Sequence, residues 1–234
     1  MNPPRRPASH RPALIATRVR SLGRALPPLS LAAAVTAFLA LGLLTTSSAM
    51  SETSSGTASL SPVLVPSQGT LFGVYGSARD GRTAQQEVAY LETLVGRTYD
   101  LDRMYHRWDK PFPTAYDAQA VARGRIPALS WAATTQAGVK VPFAEIASGK
   151  HDAWIAARAD ALKAFGHKVM LAFQLEPEDD AAWGTPAEYR AAWRRIVSIF
   201  RARGATNVVF VWNMMAYTFQ AGSGRNPLDW YPGD

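Results

Sequence analysis

The sequence predicts an α/β fold of parallel strands, arranged as a (β/α)8 barrel that is truncated after about five β/α units. Short apolar runs alternate with amphipathic helical segments between residues 69 and 234, and strict alternation implies parallel strands joined by right-handed crossovers. The first predicted turn, "YGSARDGRT", has neither a dinucleotide-binding nor a phosphate-loop pattern, which disfavours a doubly wound sheet. The unusual polar and aromatic residues follow the predicted strands, where a barrel carries its function.

The elements follow one another in a regular order. Runs of β-branched and aromatic residues predict strands, and apolar residues spaced three and four apart predict helices. Strands are predicted within 70–76, 99–108, 126–132, 167–175 and 207–215, and helices within 83–96, 116–124, 151–166 and 185–204.

The last helix has the clearest end signals. Thr185 and Glu188 form a capping-box pattern, Pro186 stands in the first turn, and Gly204 follows the last turn. A complete barrel of this kind needs about 250 residues, more than 69–234 supplies, so we expect the chain to be a fragment that lacks three strands.

The N-terminal segment predicts export. An arginine-rich start, a sixteen-residue apolar run (29–44) and the small residues Ser47 to Ala49 are typical of a signal peptide over 1–49. The apolar run falls short of the roughly 20 residues that span a bilayer, so secretion is favoured over an uncleaved anchor. Residues 50–68 are rich in Ser, Thr and Pro and predict a linker before the 69–234 domain.

Charge and composition narrow the possible partners. Six arginines within 1–49 account for six of the seven net positive charges, so the body gives no reason to expect a nucleic acid, and the membrane enters only through the export signal. Cysteine is absent, which excludes disulfides and cysteine nucleophiles. The four histidines are far apart, so we expect no metal and no cofactor.

The stretch "FQLEPEDD" follows the fourth predicted strand with four carboxylates. Glu176 is the first of them and is expected to be held by the strand, whereas Glu178, Asp179 and Asp180 are expected to be solvated loop acids. A partly desolvated Glu at a barrel mouth suits a general acid. From the residues alone, catalysis by Glu176 and a structural capping or ion-pairing role stand equal.

Aromatic and polar residues near the other strand ends are candidates for binding sugars, because an indole face stacks on the apolar face of a pyranose ring. His106 would donate or accept a hydrogen bond in the cleft or fill a structural role. The tryptophans would serve as sugar platforms or as core at the barrel mouth. The candidate substrate-binding residues are His106, Trp108, Trp131, Trp183, Trp212 and Asn213.

The runs "GKHDAWIAARADALKAFGHKVMLAFQLEPEDD" and "GTPAEYRAAWRRIVSIFRARGATNVVFVWNMM", with the final "WYPGD", resemble glycoside hydrolase family 26. This is a family of endo-β-mannanases and related β-glycanases. The resemblance implies a (β/α)8 barrel, a retaining mechanism and an acid/base role for Glu176. Two departures stand out: Gln174 and Leu175 replace the histidines usual before that Glu, and no residue matches the nucleophile after strand seven.

The resemblance therefore implies a secreted hydrolase of β-1,4-mannan or a related β-glycan, incomplete as this chain stands and without a nucleophile of its own. The polysaccharide is the expected partner. Leu175, which cannot form the hydrogen bond of a histidine, keeps an alternative open: a non-catalytic carbohydrate-binding or cell-wall protein on a degenerate barrel.

Overall fold

The computed structural model describes residues 59–233, and the predicted signal peptide therefore lies outside the described residues. Its centre is a five-stranded parallel sheet in which each strand pairs with its neighbours along the chain. The strands are β1 (Gly73–Val74), β2 (Leu101–His106), β3 (Ile126–Trp131), β4 (Val169–Phe173) and β5 (Val208–Phe210). This sequential order, with a helix in each crossover, is four consecutive β/α units of a barrel followed by a fifth strand, and it confirms the predicted fold class.

The helices lie where the apolar spacing predicts them, with one addition. They are α1 (Ala84–Val95), α2 (Ala115–Ala122), α3 (Phe143–Ser148), α4 (Asp152–Phe165) and α5 (Pro186–Ala202). The sequence analysis did not predict α3, because six residues are too few to show a helical period. The predicted capping box of α5 is confirmed, since the Thr185 hydroxyl accepts from the Glu188 amide and Glu188 accepts from the Thr185 amide.

The two outer strands are shorter than predicted. β1 has two residues and β5 three, whereas β2 and β3 each have six. β4 ends at Phe173, level with the last residue of β3 and three residues before Glu176.

One side of the sheet is packed by the helices. Alternate side chains of the inner strands, such as Leu129, Leu171 and Phe173, lie at most 1% exposed against apolar residues of α4 and α5. This alternation is the strand period of two, so the residues between them belong to the opposite, concave side of the sheet. The helix side therefore holds the main core.

Residues 59–68 were predicted to be part of a linker, yet they pack on the body of the fold. Leu64 is 4% exposed, Leu60 and Pro66 form a β-bridge, and the Lys168 ammonium donates to the Pro62 carbonyl at 2.8 Å. Lys168 precedes β4, which places this segment at the amino end of the sheet. These residues are thus part of the folded unit rather than a free linker, and 50–58 lie outside the described residues.

Candidate active site

The turn after β4 has an unusual backbone. Gln174 and Glu176 have φ angles of 40° and 53°, in the left-handed region that residues with a side chain seldom adopt. Such conformations cost on the order of 1–3 kcal/mol, persist only where the surroundings impose them, and cluster at functional sites. The feature singles out the same turn that carries Glu176.

Hydrogen bonds to both neighbouring strands hold this turn. The Gln174 amide donates to the Trp131 carbonyl at 2.8 Å, and the Gln174 side-chain oxygen accepts from the Ala133 amide at 2.8 Å. On the other side, the Glu176 amide donates to the Asn213 carbonyl at 3.2 Å. The turn is therefore fixed to the ends of β3 and β5, and Gln174, which the sequence analysis treated only as a departure from the family pattern, has a positioning role.

The Glu176 side chain is exposed, and among residues 59–233 its carboxylate has no hydrogen bond or ion pair. A structural capping or ion-pairing role would need such a contact. The described part of the chain thus leaves this carboxylate free to meet a ligand at the carboxyl ends of the strands.

Glu178 differs from the prediction. It is not a solvated loop acid: it is only 8% exposed, and its Oε1 accepts from the Met215 amide at 2.7 Å and the Thr218 hydroxyl at 3.0 Å. Its carbonyl accepts from Arg225 at 2.8 Å. The local sequence gives no sign of this, because the partners follow β5. Glu178 joins the turn after β4 to the loop after β5.

Asp180 also has a structural partner, whereas Asp179 is exposed as predicted. Lys140, from the loop after β3, pairs with the Asp180 carboxylate, which also accepts from the Ala182 amide at 2.8 Å. The hydrogen bond from Lys140 holds the pKa of Asp180 below its usual value. Asp180 thus links two loops at the rim, and Glu176 differs from it in having no such bond.

The structure places Trp108 and Trp131 in the core, 5% and 0% exposed. Their rings stack on each other with centroids 4.6 Å apart and planes at 7°, and the Trp154 indole donates to the Trp108 carbonyl at 2.8 Å. Because protein covers their faces, these two rings support the strand ends and do not present a free platform to a sugar. The sequence left two roles open for Trp131, a sugar platform or a core residue, and the structure shows it in the core.

His106 is likewise buried, 6% exposed and 5.2 Å from the Phe112 ring. Its Nε2 lies 3.8 Å from the Asp117 carboxylate, beyond hydrogen-bond range, and has no hydrogen-bond partner among the described residues. Burial lowers the pKa of His106, and the negative charge of Asp117 offsets part of that shift. The side chain lies on the helix side of β2, away from any cleft on the concave side.

The remaining three candidates lie half-buried near the turn. The Trp183 indole donates to the Ala133 carbonyl at 3.0 Å and the Thr134 hydroxyl at 3.1 Å, and the Lys140 ammonium lies 4.7 Å from its ring centroid. These contacts bring Trp183 to the same rim as Asp180.

Trp212 and Asn213 lie beyond the end of β5. The buried Nε1 of Trp212 has no partner among the described residues, and its ring lies 5.3 Å from Tyr231. Asn213 contributes its backbone carbonyl to the Glu176 amide. The structure thus brings Trp183 and Asn213 to the edge that carries Glu176, whereas Trp212 packs against the helix-side core and lines a cavity beside β5.

A large cavity in the described part of the chain does not contain this turn. It measures about 1220 Å³ and runs along the open edge of β5, between that strand, the 59–68 segment and α5. Within residues 59–233 no group of three or more potential metal-ligating side chains occurs. The same residues contain no helix that is both long and apolar enough to cross a bilayer.

Comparison with known proteins supports the resemblance to β-glycanases. No family model matches the chain. Over 162 residues, 64% of this chain, it is 31% identical to endoglucanase H of Acetivibrio thermocellus. Among solved structures it is similar to the YdhT protein of Bacillus subtilis (TM-score 0.51, 14% identity, 74% of this chain) and to the mannanase man26 of Bacillus subtilis (TM-score 0.50, 14% identity, 70% of this chain).

The chain spans only part of each relative: 17% of the endoglucanase, 63% of YdhT and 60% of the mannanase. At these identities the solved structures establish the fold, which is the barrel type predicted from the sequence.

Proposed function

We propose that the chain belongs to glycoside hydrolase family 26 and carries the acid/base residue of a retaining β-glycan hydrolase. One observation supports this most: of the carboxylates after β4, Glu176 alone combines a left-handed backbone, fixed by strand ends on both sides, with an exposed side chain that has no partner in the described residues. The endoglucanase and mannanase names of its relatives support the substrate class.

In the proposed mechanism, Glu176 protonates the oxygen of the glycosidic bond as the leaving sugar departs. It then removes a proton from the water that attacks the glycosyl intermediate. A retaining enzyme forms that intermediate on a second carboxyl about 5–5.5 Å from the first. Within 59–233, Glu178 cannot serve, because it is buried and bonded to the loop after β5. We propose that residues outside this range supply the nucleophile.

Glu176→Gln in the complete gene product tests the acid/base role. We expect kcat/KM on β-mannan or mixed-linkage β-glucan to fall by about 10²–10⁴-fold, the usual contribution of general acid catalysis. Aryl glycosides with good leaving groups need less protonation, so their first step should fall far less. Asp179→Asn is the control, since Asp179 is exposed and lies three positions after Glu176. An equal loss on both substrate types would show that Glu176 is not the acid.

Residues 50–234 by themselves should hydrolyse neither polysaccharide, because the carboxylates Glu176 and Asp179, unpaired within residues 59–233, lie in one turn and do not face each other across a glycosidic bond. Reducing-sugar release by residues 50–234, lost on Glu176→Gln, would show that the second carboxyl is already present and that the nucleophile assignment is wrong. Leu175 supports the second candidate, a non-catalytic glycan-binding protein. That function predicts glycan binding with no hydrolysis even by the complete gene product.

We also propose that the protein is secreted after cleavage near Ala49, on the strength of the charged and apolar segments in 1–49. N-terminal sequencing of protein recovered from the culture medium should then begin near Met50. A membrane-bound product that retains 1–49 would contradict it.

A further inference from the structure

The concave side of the sheet carries two exposed tyrosines that the sequence analysis did not consider. In β2, Asp102 bonds to the Tyr116 hydroxyl of α2 at 3.0 Å, and His106 packs on Phe112, so these even-numbered positions lie on the helix side. By the strand period, Tyr105 lies on the concave side. Its side chain is 55% exposed.

Tyr75 reaches the same place from β1. Val74 packs with Val88 of α1 on the helix side, so Tyr75, the next residue, lies on the concave side and is 52% exposed. The two tyrosine rings meet edge to face, with centroids 5.2 Å apart and planes at 90°. This is a favourable aromatic geometry that holds both rings in place at the carboxyl ends of β1 and β2.

A cavity and a cation adjoin the pair. The cavity measures about 290 Å³ and is lined by Tyr75, Arg103 and residues of β1 to β3. The Arg103 guanidinium lies 5.2 Å from the Tyr105 centroid, and its buried Nε has no hydrogen-bond partner in the described chain. Tyr75 is the aromatic residue that lines this space, and Tyr105 is not among its lining residues. A small concave space with one tyrosine and an unpaired arginine donor is suited to a polar ring-shaped ligand.

The position relates this space to Glu176. Tyr105 is level with Ser130 in β3 and Ala172 in β4, four residues before Glu176. Adjacent strands are about 4.8 Å apart, so β2 lies roughly 10 Å from β4 across the sheet. A chain of linked sugars that passes Glu176 could therefore extend over the tyrosine pair.

We propose that Tyr75 and Tyr105 form a sugar-binding subsite of the same cleft, which takes a pyranose ring of a β-linked glycan chain at a distance from the bond that Glu176 protonates. The inference rests on the proposed function. Trp108 and Trp131 are buried, so the tyrosine pair supplies the aromatic platform on this side of the sheet. The two tyrosine hydroxyls have no hydrogen-bond partner within residues 59–233. Together with an arginine donor, such rings match a sugar's apolar face and hydroxyl edge better than they match an apolar protein surface.

The test measures binding of linear β-1,4-linked mannohexaose and glucohexaose to the chain without its predicted signal peptide, residues 50–234. Tyr105→Ala and Tyr75→Ala should each weaken binding about tenfold by calorimetry, as expected when a tyrosine anchor is truncated, and Tyr105→Phe should retain most of it. Tyr90→Ala is the matched control. Tyr90 is 42% exposed on α1 and also has an arginine over its ring, with Arg82 4.2 Å from the centroid, but it lies on the helix layer.

A second measurement needs no variant and so does not depend on how the variants fold. Tyrosines of the wild-type chain are nitrated with tetranitromethane, with and without hexaose, and quantified by peptide mass spectrometry. The bound sugar should protect Tyr75 and Tyr105 and leave Tyr90 as reactive as before.

Binding with both tyrosines unprotected, or binding that Tyr105→Ala leaves unchanged, overturns the subsite and leaves the proposed function standing. A chain that binds neither hexaose overturns both the subsite and glycan recognition by this chain. Protection that rises with protein concentration in the absence of sugar would show that a second copy of the chain covers the pair, which also overturns the proposal.

Discussion

Tyr105 and His106 are neighbours in β2, yet they lie in opposite environments. Tyr105 is 55% exposed on the concave side, whereas His106 is 6% exposed on the helix side. Both are at the carboxyl end of the strand, and from the sequence His106 was the better candidate for chemistry. Position along a barrel strand therefore does not decide function by itself: the side of the sheet decides which residues a ligand can reach.

The same contrast separates Glu176 from Glu178 in the turn after β4. Glu176 is exposed without a partner among the described residues, and Glu178 is buried with its Oε1 bonded to the loop after β5. Two carboxylates two residues apart therefore have different roles, one free for a ligand and one structural.

The largest expected change is in the free energy of unfolding, to which residues on the two sides of the sheet should contribute differently. Trp131→Ala should lower the free energy of unfolding by about 3–5 kcal/mol, because the ring is fully buried and stacks on Trp108. Tyr105→Ala should change it by no more than about 0.5 kcal/mol, since that ring is more than half exposed. Urea unfolding followed by circular dichroism measures both.

Trp131→Phe keeps a ring in the core and should lose clearly less than Trp131→Ala, which gives a folded reference if the alanine variant does not fold. If Trp131→Ala and Tyr105→Ala lowered the free energy of unfolding by similar amounts, the concave side would be packed as tightly as the helix side. That result would contradict the difference between the two sides of the sheet.

Local signals were enough to predict most of the fold. The capping box at Thr185, the glycine after α5 at Gly204 and the apolar runs of the inner strands are each encoded within a few residues, and all are confirmed. The helix α3 was missed because a six-residue helix has no period, and the short lengths of β1 and β5 were missed as well.

The candidate site was predicted less completely, because its contacts are long-range. The sequence identified Glu176 and its turn, but the bonds of Glu178 to Met215 and Thr218 join residues 37 and 40 positions apart. The stacking of Trp108 on Trp131 is similar, since it depends on two strands pairing. The tyrosines could have been found: the alternation in "LDRMYH" places Tyr105 opposite His106 once either side is known.

The smallest change in the free energy of unfolding is expected for His106, on the helix side of β2. Burial lowers the pKa of His106 in the folded protein, whereas the unfolded chain should titrate near the ordinary value of about 6.5. Below that pH His106 binds a proton in the unfolded chain but stays neutral in the folded chain until the pH reaches its lower folded pKa. The stability contributed by neutral His106 is therefore fully present above about pH 6.5 and is lost as the pH falls toward the folded pKa.

His106→Phe keeps a ring against Phe112 and removes this proton, so the free energy of unfolding should fall less between pH 7 and pH 5.5 than in the wild type. One proton limits the difference in slope to about 1.4 kcal/mol per pH unit. Asp102, whose pKa burial raises, is common to both proteins and cancels in the difference. Parallel wild-type and His106→Phe curves in urea titrations would show that solvent reaches His106, and the helix side of β2 would then be as open as the side that carries Tyr105.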